Sequence, residues 1–113
     1  MPHLIVEYSD TLQQPIQPIL HTLHGVLLDS KQFGERDIKV RARAYRDFLV
    51  GGAVDSVFVH LTLYLLDGRS EATKAELSQA LCAALQAAII TDKRQITVDI
   101  RDMVRNTYRK VIE

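Results

Sequence analysis

The sequence contains no tryptophan, a single cysteine and no run of apolar residues long enough to cross a membrane. The lone cysteine, Cys82, cannot form an internal disulfide, and this favours a reducing compartment. A membrane-spanning helix needs about 20 consecutive apolar residues, whereas the longest apolar stretch, residues 83–90, is short and contains Gln86. The first residues also lack the basic segment and long apolar core of a secretory signal. We therefore predict a cytoplasmic protein without a membrane span.

Neither sign of charge is in excess, because 14 basic residues balance 14 acidic residues. Without a net field, the protein is not expected to attract nucleic acid or an anionic membrane. Any anionic ligand must instead be held by cations placed close to it. The chain has 113 residues, of which 47% are hydrophobic, and this is enough for one domain with a packed core. We treat residues 1–113 as that single domain.

Motifs for phosphate loops, zinc clusters and serine triads are also missing. His21 and His24 lie three residues apart on the first predicted helix and could share a metal ion. No carboxylate or cysteine lies at a matching spacing, so a pair of surface histidines is the better interpretation. We predict no metal site.

Hydrophobic periodicity predicts alternating strands and helices along the chain. The strands show alternation or runs of β-branched residues, and the helices show apolar residues at steps of three and four. In chain order, the elements are a strand over 3–8, a helix at about 15–28, strands over 38–45 and 57–66, a second helix capped by Ser70, and a short strand over 96–100. Residues 101–113 are predicted to form a charged tail with some helical character.

The order strand–helix–strand occurs twice, and this is the main regularity of the chain. Two consecutive β-α-β units predict an α+β fold, with one four-stranded sheet and both helices on one face. The strand over 57–66 is almost continuously apolar, which suggests burial on both sides. We expect two helices to be too few to cover Leu4, Val6, Phe58 and Leu63 together. Part of the sheet would then pack against other subunits.

The most unusual chemical feature is the proline directly after the initiator methionine. Because proline is small, an aminopeptidase is expected to remove Met1 and leave Pro2 with a free secondary amine. An α-amino group titrates at about 7.7–8.0, and burial or cationic neighbours would favour its neutral form. Pro2 would then be a nitrogen base at the tip of a strand. Taken alone, however, a Met-Pro start is common and needs no such explanation.

Three arginines could hold an anionic ligand. Arg41 and Arg43 share one face of their strand by parity, and Arg69 lies in a turn just before a helix, where free backbone amides also favour anions. The planar guanidinium of arginine binds carboxylates through two hydrogen bonds, so converging arginines would suit a substrate with several carboxylates. The alternative is that Arg41 and Arg43 only solvate an exposed strand face.

Several segments resemble those of a known protein family, most specifically the start Met1–Ser9 and the turn Gly68-Arg69-Ser70. Others are Val40–Arg43, Phe58–Leu63, Thr97–Ile100 and Thr107–Lys110. Together they resemble the 5-carboxymethyl-2-hydroxymuconate isomerases, a family of the tautomerase superfamily with an amino-terminal proline. The similarity spans nearly the whole chain and is weakest over residues 12–37 and 46–54, which could line the pocket.

The resemblance implies a homotrimer of repeated β-α-β units, with active sites near the subunit boundaries and without a cofactor. It gives Pro2 the role of general base and then general acid. It matches Arg69 and Arg41 to substrate-binding arginines, and Arg43 to the second arginine of the same strand motif.

We therefore interpret the chain as a cofactor-free tautomerase for a small unsaturated 2-hydroxy acid with further carboxylates, of the 5-carboxymethyl-2-hydroxymuconate type. The resemblance implies the breakdown of homoprotocatechuate as its pathway. Two alternatives stay open. The same scaffold could serve a related tautomerase, dehalogenase or decarboxylase, or the protein could be an oligomeric binding protein without catalysis.

Overall fold

A computed structural model describes all residues from Met1 to Glu113. Four strands and two helices follow one another in the predicted order, and a short 3₁₀ turn precedes the second strand. The elements are β1 (His3–Ser9), α1 (Ile16–Asp29), the turn Glu35–Asp37, β2 (Lys39–Tyr45), β3 (Val57–Leu66), α2 (Glu71–Ala88) and β4 (Arg94–Met103).

The strands form one mixed sheet in the order β2-β1-β3-β4. Within each β-α-β unit the two strands are parallel, so that β1 pairs with β2 and β3 pairs with β4. The two units meet at the centre of the sheet, where β1 and β3 run antiparallel with His3 opposite Tyr64. The predicted α+β fold is confirmed.

Both helices cover the same face of this sheet. Buried leucines of α1 and α2 join one side of the strands in a single core: Leu4, Val6, Leu12, Ile19, Leu23, Leu27, Phe33, Val57, Val59, Leu61, Leu63, Leu65, Leu77, Leu81, Leu85 and Ile89. All the strand residues among them have the same parity along their strands, and side chains alternate between faces in a strand. The helices therefore form one layer of a two-layer fold, and the sheet forms the other.

The starts of the helices follow from local chemistry. Pro15 is the residue before α1, and Pro18 lies in the first turn, where an amide hydrogen has no partner inside the helix. Helix α2 begins after Ser70, whose hydroxyl oxygen accepts a hydrogen bond from the backbone N–H of Thr73 at 3.1 Å. Both proline and serine therefore act as the sequence predicts.

The helices do not cover all four of the residues that the sequence singles out, as predicted: Leu4, Val6 and Leu63 are 0% exposed beneath them, whereas Phe58 lies on the opposite face. The uncovered part is smaller than expected, because only Phe58 of the four is left for another subunit. The predicted burial of β3 on both sides is wrong, because the burial of this strand alternates residue by residue. Apolar side chains at Phe58 and Leu66 are partly exposed on the opposite face, and this made the strand look buried on both sides in the sequence.

The end of the chain also differs from the prediction. Strand β4 continues to Met103, three residues beyond the predicted end, because it pairs along the full length of β3. Residues 104–113 contain a turn at Val104, whose carbonyl accepts hydrogen bonds from the N–H groups of Thr107 and Tyr108, both at 3.1 Å. They contain no helix. We call residues 104–113 the C-terminal segment.

No helix in the structure is long and apolar enough to cross a membrane.

Candidate functional site

Pro2 lies just before β1, a central strand of the sheet, and is almost completely buried. Its carbonyl oxygen accepts a hydrogen bond from the backbone N–H of Lys39, at 3.1 Å, which joins the start of the chain to the start of β2. Because β3 runs antiparallel to β1, the end of β3 and the turn after it lie at the same end of the sheet. We call this end, around Pro2, the Pro2 end.

His3 links the Pro2 end to two other residues. Its Nδ1 lies 3.2 Å from Nη1 of Arg41, and its Nε2 lies 2.9 Å from the hydroxyl oxygen of Tyr108. The rings of His3 and Tyr108 also meet edge to face, with centroids 6.0 Å apart. A guanidinium can only donate, so Nδ1 of His3 accepts and Nε2 carries the proton of the neutral ring. Nε2 therefore donates to the hydroxyl of Tyr108.

The surroundings keep His3 neutral. Burial is the largest cause that lowers the pKa of its imidazole, followed by the positive charges of Arg41, Lys39, the amino terminus and Lys110. Each of these penalises a protonated ring. The low pKa agrees with the tautomer that the hydrogen bonds require.

The amino terminus itself experiences the same conditions. Burial lowers the pKa of the Met1 ammonium group below its ordinary value, Asp37 opposes this, and Lys39, Lys110 and Arg69 lower the pKa further. An amine at the start of this chain is therefore closer to its neutral form at neutral pH than a free terminus would be.

Arg69 lies at the Pro2 end but is already engaged. Its Nε donates to Oε1 of Gln32 at 3.1 Å, Nη2 donates to the carbonyl of Gln32 at 3.0 Å, and Nη1 donates to the carbonyl of Leu66 at 3.3 Å. The guanidinium also lies over the ring of Phe33, 4.8 Å from the centroid. The half-buried side chain of Arg69 therefore holds the connector that follows α1, a structural role that its place in a turn does not indicate.

Arg41 and Arg43 lie on the face of the sheet opposite the helices, as parity predicts. Together with Ile5, Glu7, Ala42 and Tyr45, they line a cavity of about 280 Å³. The strand register places Arg41 opposite Ile5 and Arg43 opposite Glu7, so Arg43 lies farther from Pro2. The structure thus brings Arg41 to His3 and leaves Arg43 beside a carboxylate.

Glu7 is also the partner of Tyr45, whose hydroxyl donates a short hydrogen bond to its carboxylate. This hydrogen bond is the main cause that raises the pKa of the Tyr45 hydroxyl. Glu7 adds negative charge on the side of Arg43, which makes that part of the cavity less suited to a carboxylate than the Arg41 part.

Sequence reasoning missed the C-terminal segment as part of this region. Besides Tyr108, the segment brings Lys110, whose Nζ lies 2.5 Å from Oδ1 of Asp37. The signal was present in the similarity over residues 107–110, but a tail interpreted as helical gave no reason to place those residues beside the start of the chain.

Groups of three or more histidine, cysteine, aspartate or glutamate side chains that could hold a metal ion do not occur in the structure. His24 forms a hydrogen bond with Glu35, 2.8 Å between Nε2 and Oε2, on the surface.

Comparisons with known proteins identify the family and the fold of the chain. Residues 2–110 match the family model described as 5-carboxymethyl-2-hydroxymuconate isomerase. A crystal structure of a 5-carboxymethyl-2-hydroxymuconate isomerase from Deinococcus radiodurans R1 is 30% identical with a TM-score of 0.85, and the match covers 99% of this chain and 90% of that one. A search of curated proteins finds no match.

Two further solved structures share the fold at lower identity. A 5-carboxymethyl-2-hydroxymuconate delta-isomerase is 22% identical with a TM-score of 0.79, covering 100% of this chain and 89% of that one. A fused 4-OT, described as a wild-type symmetric trimer, is 22% identical with a TM-score of 0.79, covering 92% and 87%. From the family match over residues 2–110 and the 30% identity across almost the whole chain, we conclude that this protein belongs to the 5-carboxymethyl-2-hydroxymuconate isomerase family.

Proposed function

We propose that the protein converts an unsaturated 2-hydroxy acid with additional carboxylates, of the 5-carboxymethyl-2-hydroxymuconate type, into its 2-oxo isomer. The amine of Pro2, freed by removal of Met1, would be the general base and then the general acid. The observation that carries the proposal is the position of Pro2: it is buried at the tip of a central strand, in a chain of this isomerase family.

The pKa of the present amino terminus supports Pro2 as a base. Removal of Met1 moves the amine by one residue to Pro2, which is more deeply buried than Met1. The charges around the Met1 ammonium group would then act on the Pro2 amine: Lys39, Lys110 and Arg69 lower the pKa, and Asp37 opposes them. A neutral secondary amine at neutral pH can accept a proton, and a base whose pKa lies near the working pH is the most efficient.

The reaction requires only one proton to move. The nitrogen of Pro2 accepts the proton of the 2-hydroxyl, and the electron pair of the broken O–H bond forms the C=O bond. The conjugated double bonds shift by one position, and a carbon farther along the system takes the proton back from the Pro2 ammonium. Pro2 ends the cycle neutral. Transfer by a positioned base contributes typically about 10²–10⁴-fold to the rate.

Arginines would hold the carboxylates of the substrate. Arg41 is the best placed, because it touches His3 and lines the cavity on the outer face of the sheet. Arg69 lies at the Pro2 end but must exchange a contact with Gln32 for a substrate carboxylate. Arg43 would bind a more distant carboxylate and must compete with Glu7. Positive charge near the developing dienolate also stabilises the transition state.

The protein would work as a homotrimer in the cytoplasm, in the breakdown of homoprotocatechuate. The outer face of the sheet carries partly exposed apolar residues such as Ile5 and Phe58, and Leu49 and Val54 in the adjoining loop are 70% and 68% exposed. Copies of this chain are the proposed cover, since the fused 4-OT of the same fold is a symmetric trimer.

Absorbance at ultraviolet wavelengths tests the activity directly. Protein whose intact mass shows removal of Met1 is incubated with 2-hydroxymuconate or phenylenolpyruvate, and loss of the enol absorbance is followed. Turnover supports the proposal, and no turnover of either acid by processed protein contradicts it. Slow tautomerisation with rapid loss of halide or carbon dioxide from another small acid would favour a related reaction on the same scaffold.

A further inference from the structure

Tyr108 is a further candidate for binding the substrate, and no sequence motif assigns it that role. It belongs to the C-terminal segment, yet its hydroxyl oxygen lies 2.9 Å from Nε2 of His3 and 3.9 Å from the sulfur of Met1. The half-buried ring is held edge-on against the imidazole of His3. The hydroxyl is therefore fixed beside the first residue of the chain.

The direction of the Tyr108 proton follows from the hydrogen bonds behind it. Arg41 donates to Nδ1 of His3, so that the imidazole proton is on Nε2 and points at the hydroxyl of Tyr108. The hydroxyl accepts this bond and keeps its own proton for a different partner. In the unprocessed chain that partner is the thioether of Met1, a weak acceptor.

Removal of Met1 leaves this proton without its acceptor. The sulfur belongs to the residue whose carbonyl is bonded to the Pro2 nitrogen, so the space that opens beside Tyr108 belonged to the residue joined to the proposed base. We propose that Tyr108 of the processed protein donates a hydrogen bond to the 2-oxygen of the substrate, an inference that rests on the proposed function. His3 is the positioning residue that orients this donor.

This assignment has a chemical consequence for substrate selection. The 2-oxygen gains negative charge when Pro2 takes its proton, and a donor aimed at that oxygen stabilises the charge. A dicarboxylate without a 2-oxygen would leave the Tyr108 proton unpaired, which costs affinity. The site then selects 2-hydroxy and 2-oxo acids from other dicarboxylates of the same length.

Two ligands that differ only at this oxygen test the proposal without turnover. Calorimetric titration with 2-oxoadipate and with adipate is carried out on processed wild type, Tyr108→Phe and Tyr8→Phe, the last as a matched loss of hydroxyl at the far end of β1. Wild type and Tyr8→Phe are expected to prefer 2-oxoadipate by about 3- to 10-fold, the effect of one neutral hydrogen bond. Tyr108→Phe is expected to bind both equally. An undiminished preference in Tyr108→Phe, or a wild type that binds neither acid, overturns the assignment.

Variants of His3 show whether this residue orients the hydroxyl of Tyr108 or has only a structural role. Glutamine offers an oxygen to Arg41 and an N–H to Tyr108, whereas leucine offers neither. We expect His3→Gln to keep at least part of the preference and His3→Leu to lose it, with no further loss when Tyr108→Phe is added to His3→Leu. Independent, additive losses would show that His3 does not act through Tyr108. Thermal melts of all variants identify any that fail to fold.

The assay with 2-hydroxymuconate separates this inference from the proposed function. If the wild type shows no turnover but prefers 2-oxoadipate, and Tyr108→Phe loses that preference, the role of Tyr108 is supported and the isomerase activity is contradicted. Turnover with a preference independent of Tyr108 supports the activity and contradicts the role of Tyr108.

Discussion

Lys110 and Asp37 form an ion pair, with 2.5 Å between Nζ and Oδ1, although 73 residues separate them in the sequence. Their side chains are only 17% and 33% exposed. Together with the hydrogen bond between Tyr108 and His3, this pair attaches the C-terminal segment to the residues around Pro2.

Replacing Lys110 by alanine is expected to free the C-terminal segment while leaving the sheet intact. The core lies on the other side of β1 and contains no residue of the segment. Carboxypeptidase digestion followed by mass spectrometry should remove more residues from Lys110→Ala than from wild type. The control is Lys93→Ala, which breaks a longer and more exposed ion pair with Asp55, 3.0 Å apart. Equal digestion of all three proteins would show that the ion pair does not hold the segment.

The attachment of the segment should weaken as the pH falls. The pKa of His3 is lowered, chiefly by burial, and the pKa of Asp37 is lowered, chiefly by its hydrogen bond to Lys110. Both groups bind protons more weakly in the folded chain than in the unfolded chain. Their contribution is therefore complete above the unfolded values of about 6.5 and 3.9, and it decreases below each of them.

Hydrogen exchange of the C-terminal segment between pH 7 and pH 3 measures this dependence, after correction for intrinsic exchange rates. Protection should decrease in two stages, first below about pH 6.5 and again below about pH 3.9. His3→Gln should remove the first stage only. Protection that increases toward acid pH would contradict the assigned directions.

Replacing Pro2 by alanine should lower kcat with little effect on substrate binding. Alanine leaves a primary amine in place of the secondary amine, which can still accept a proton but is more mobile and differently basic. We expect a decrease of at least about tenfold, since a positioned base contributes about 10²–10⁴-fold. Steady-state kinetics with 2-hydroxymuconate checks this. Unchanged kcat, or full activity of a protein that retains Met1, would remove Pro2 from the mechanism.

Replacing Arg69 by alanine should raise KM and also lower stability. A charge-assisted hydrogen bond to a carboxylate is worth roughly 1.5–3 kcal/mol, which corresponds to about 10–150-fold in affinity. The lost contacts with Gln32 and Phe33 should also lower Tm by a few degrees. Arg46→Ala is the control, because Arg46 is 84% exposed and pairs only with its neighbour Asp47. A lowered Tm with unchanged KM would make Arg69 a purely structural residue.

The assembly prediction concerns the uncovered face of the sheet. If copies of this chain cover that face, light scattering at micromolar concentration gives the mass of a trimer. Replacing Val54, which is 68% exposed in the loop beside that face, by glutamate should then shift the mass toward the monomer. The equally charged Val111→Glu, in the C-terminal segment at 77% exposure, serves as a control. A stable wild-type monomer would contradict the trimer.

The sequence predicts the fold well because each element has a strong local signal. The parity of Lys39 to Tyr45 correctly places Arg41 and Arg43 on the outer face, and Ser70 caps α2 as predicted. Strand β4 was predicted too short because its last residues alternate weakly, and pairing with β3 extends it.

The site was less predictable because its contacts are long-range. Nothing local to Tyr108 or Lys110 indicates that they meet His3 and Asp37, since the segment has neither periodicity nor a cap. The contacts of Arg69 are unpredictable for a related reason. Its partner Gln32 lies in a polar connector. That connector packs on the core through a single aromatic residue, Phe33.

The antiparallel pairing of β1 with β3 has a further consequence, because it relates the two β-α-β units by an approximate two-fold rotation near Val6 and Leu61. The position equivalent to Pro2 is then Val57, the first residue of β3, which is also buried. The residue before it, Ser56, accepts a hydrogen bond through its carbonyl from the hydroxyl of Thr11 at 2.8 Å. At that end the nitrogen belongs to an ordinary peptide bond. The duplicated architecture therefore supplies only one amine per chain, and titration of an assembly with an amine-directed inhibitor should end at one equivalent per subunit.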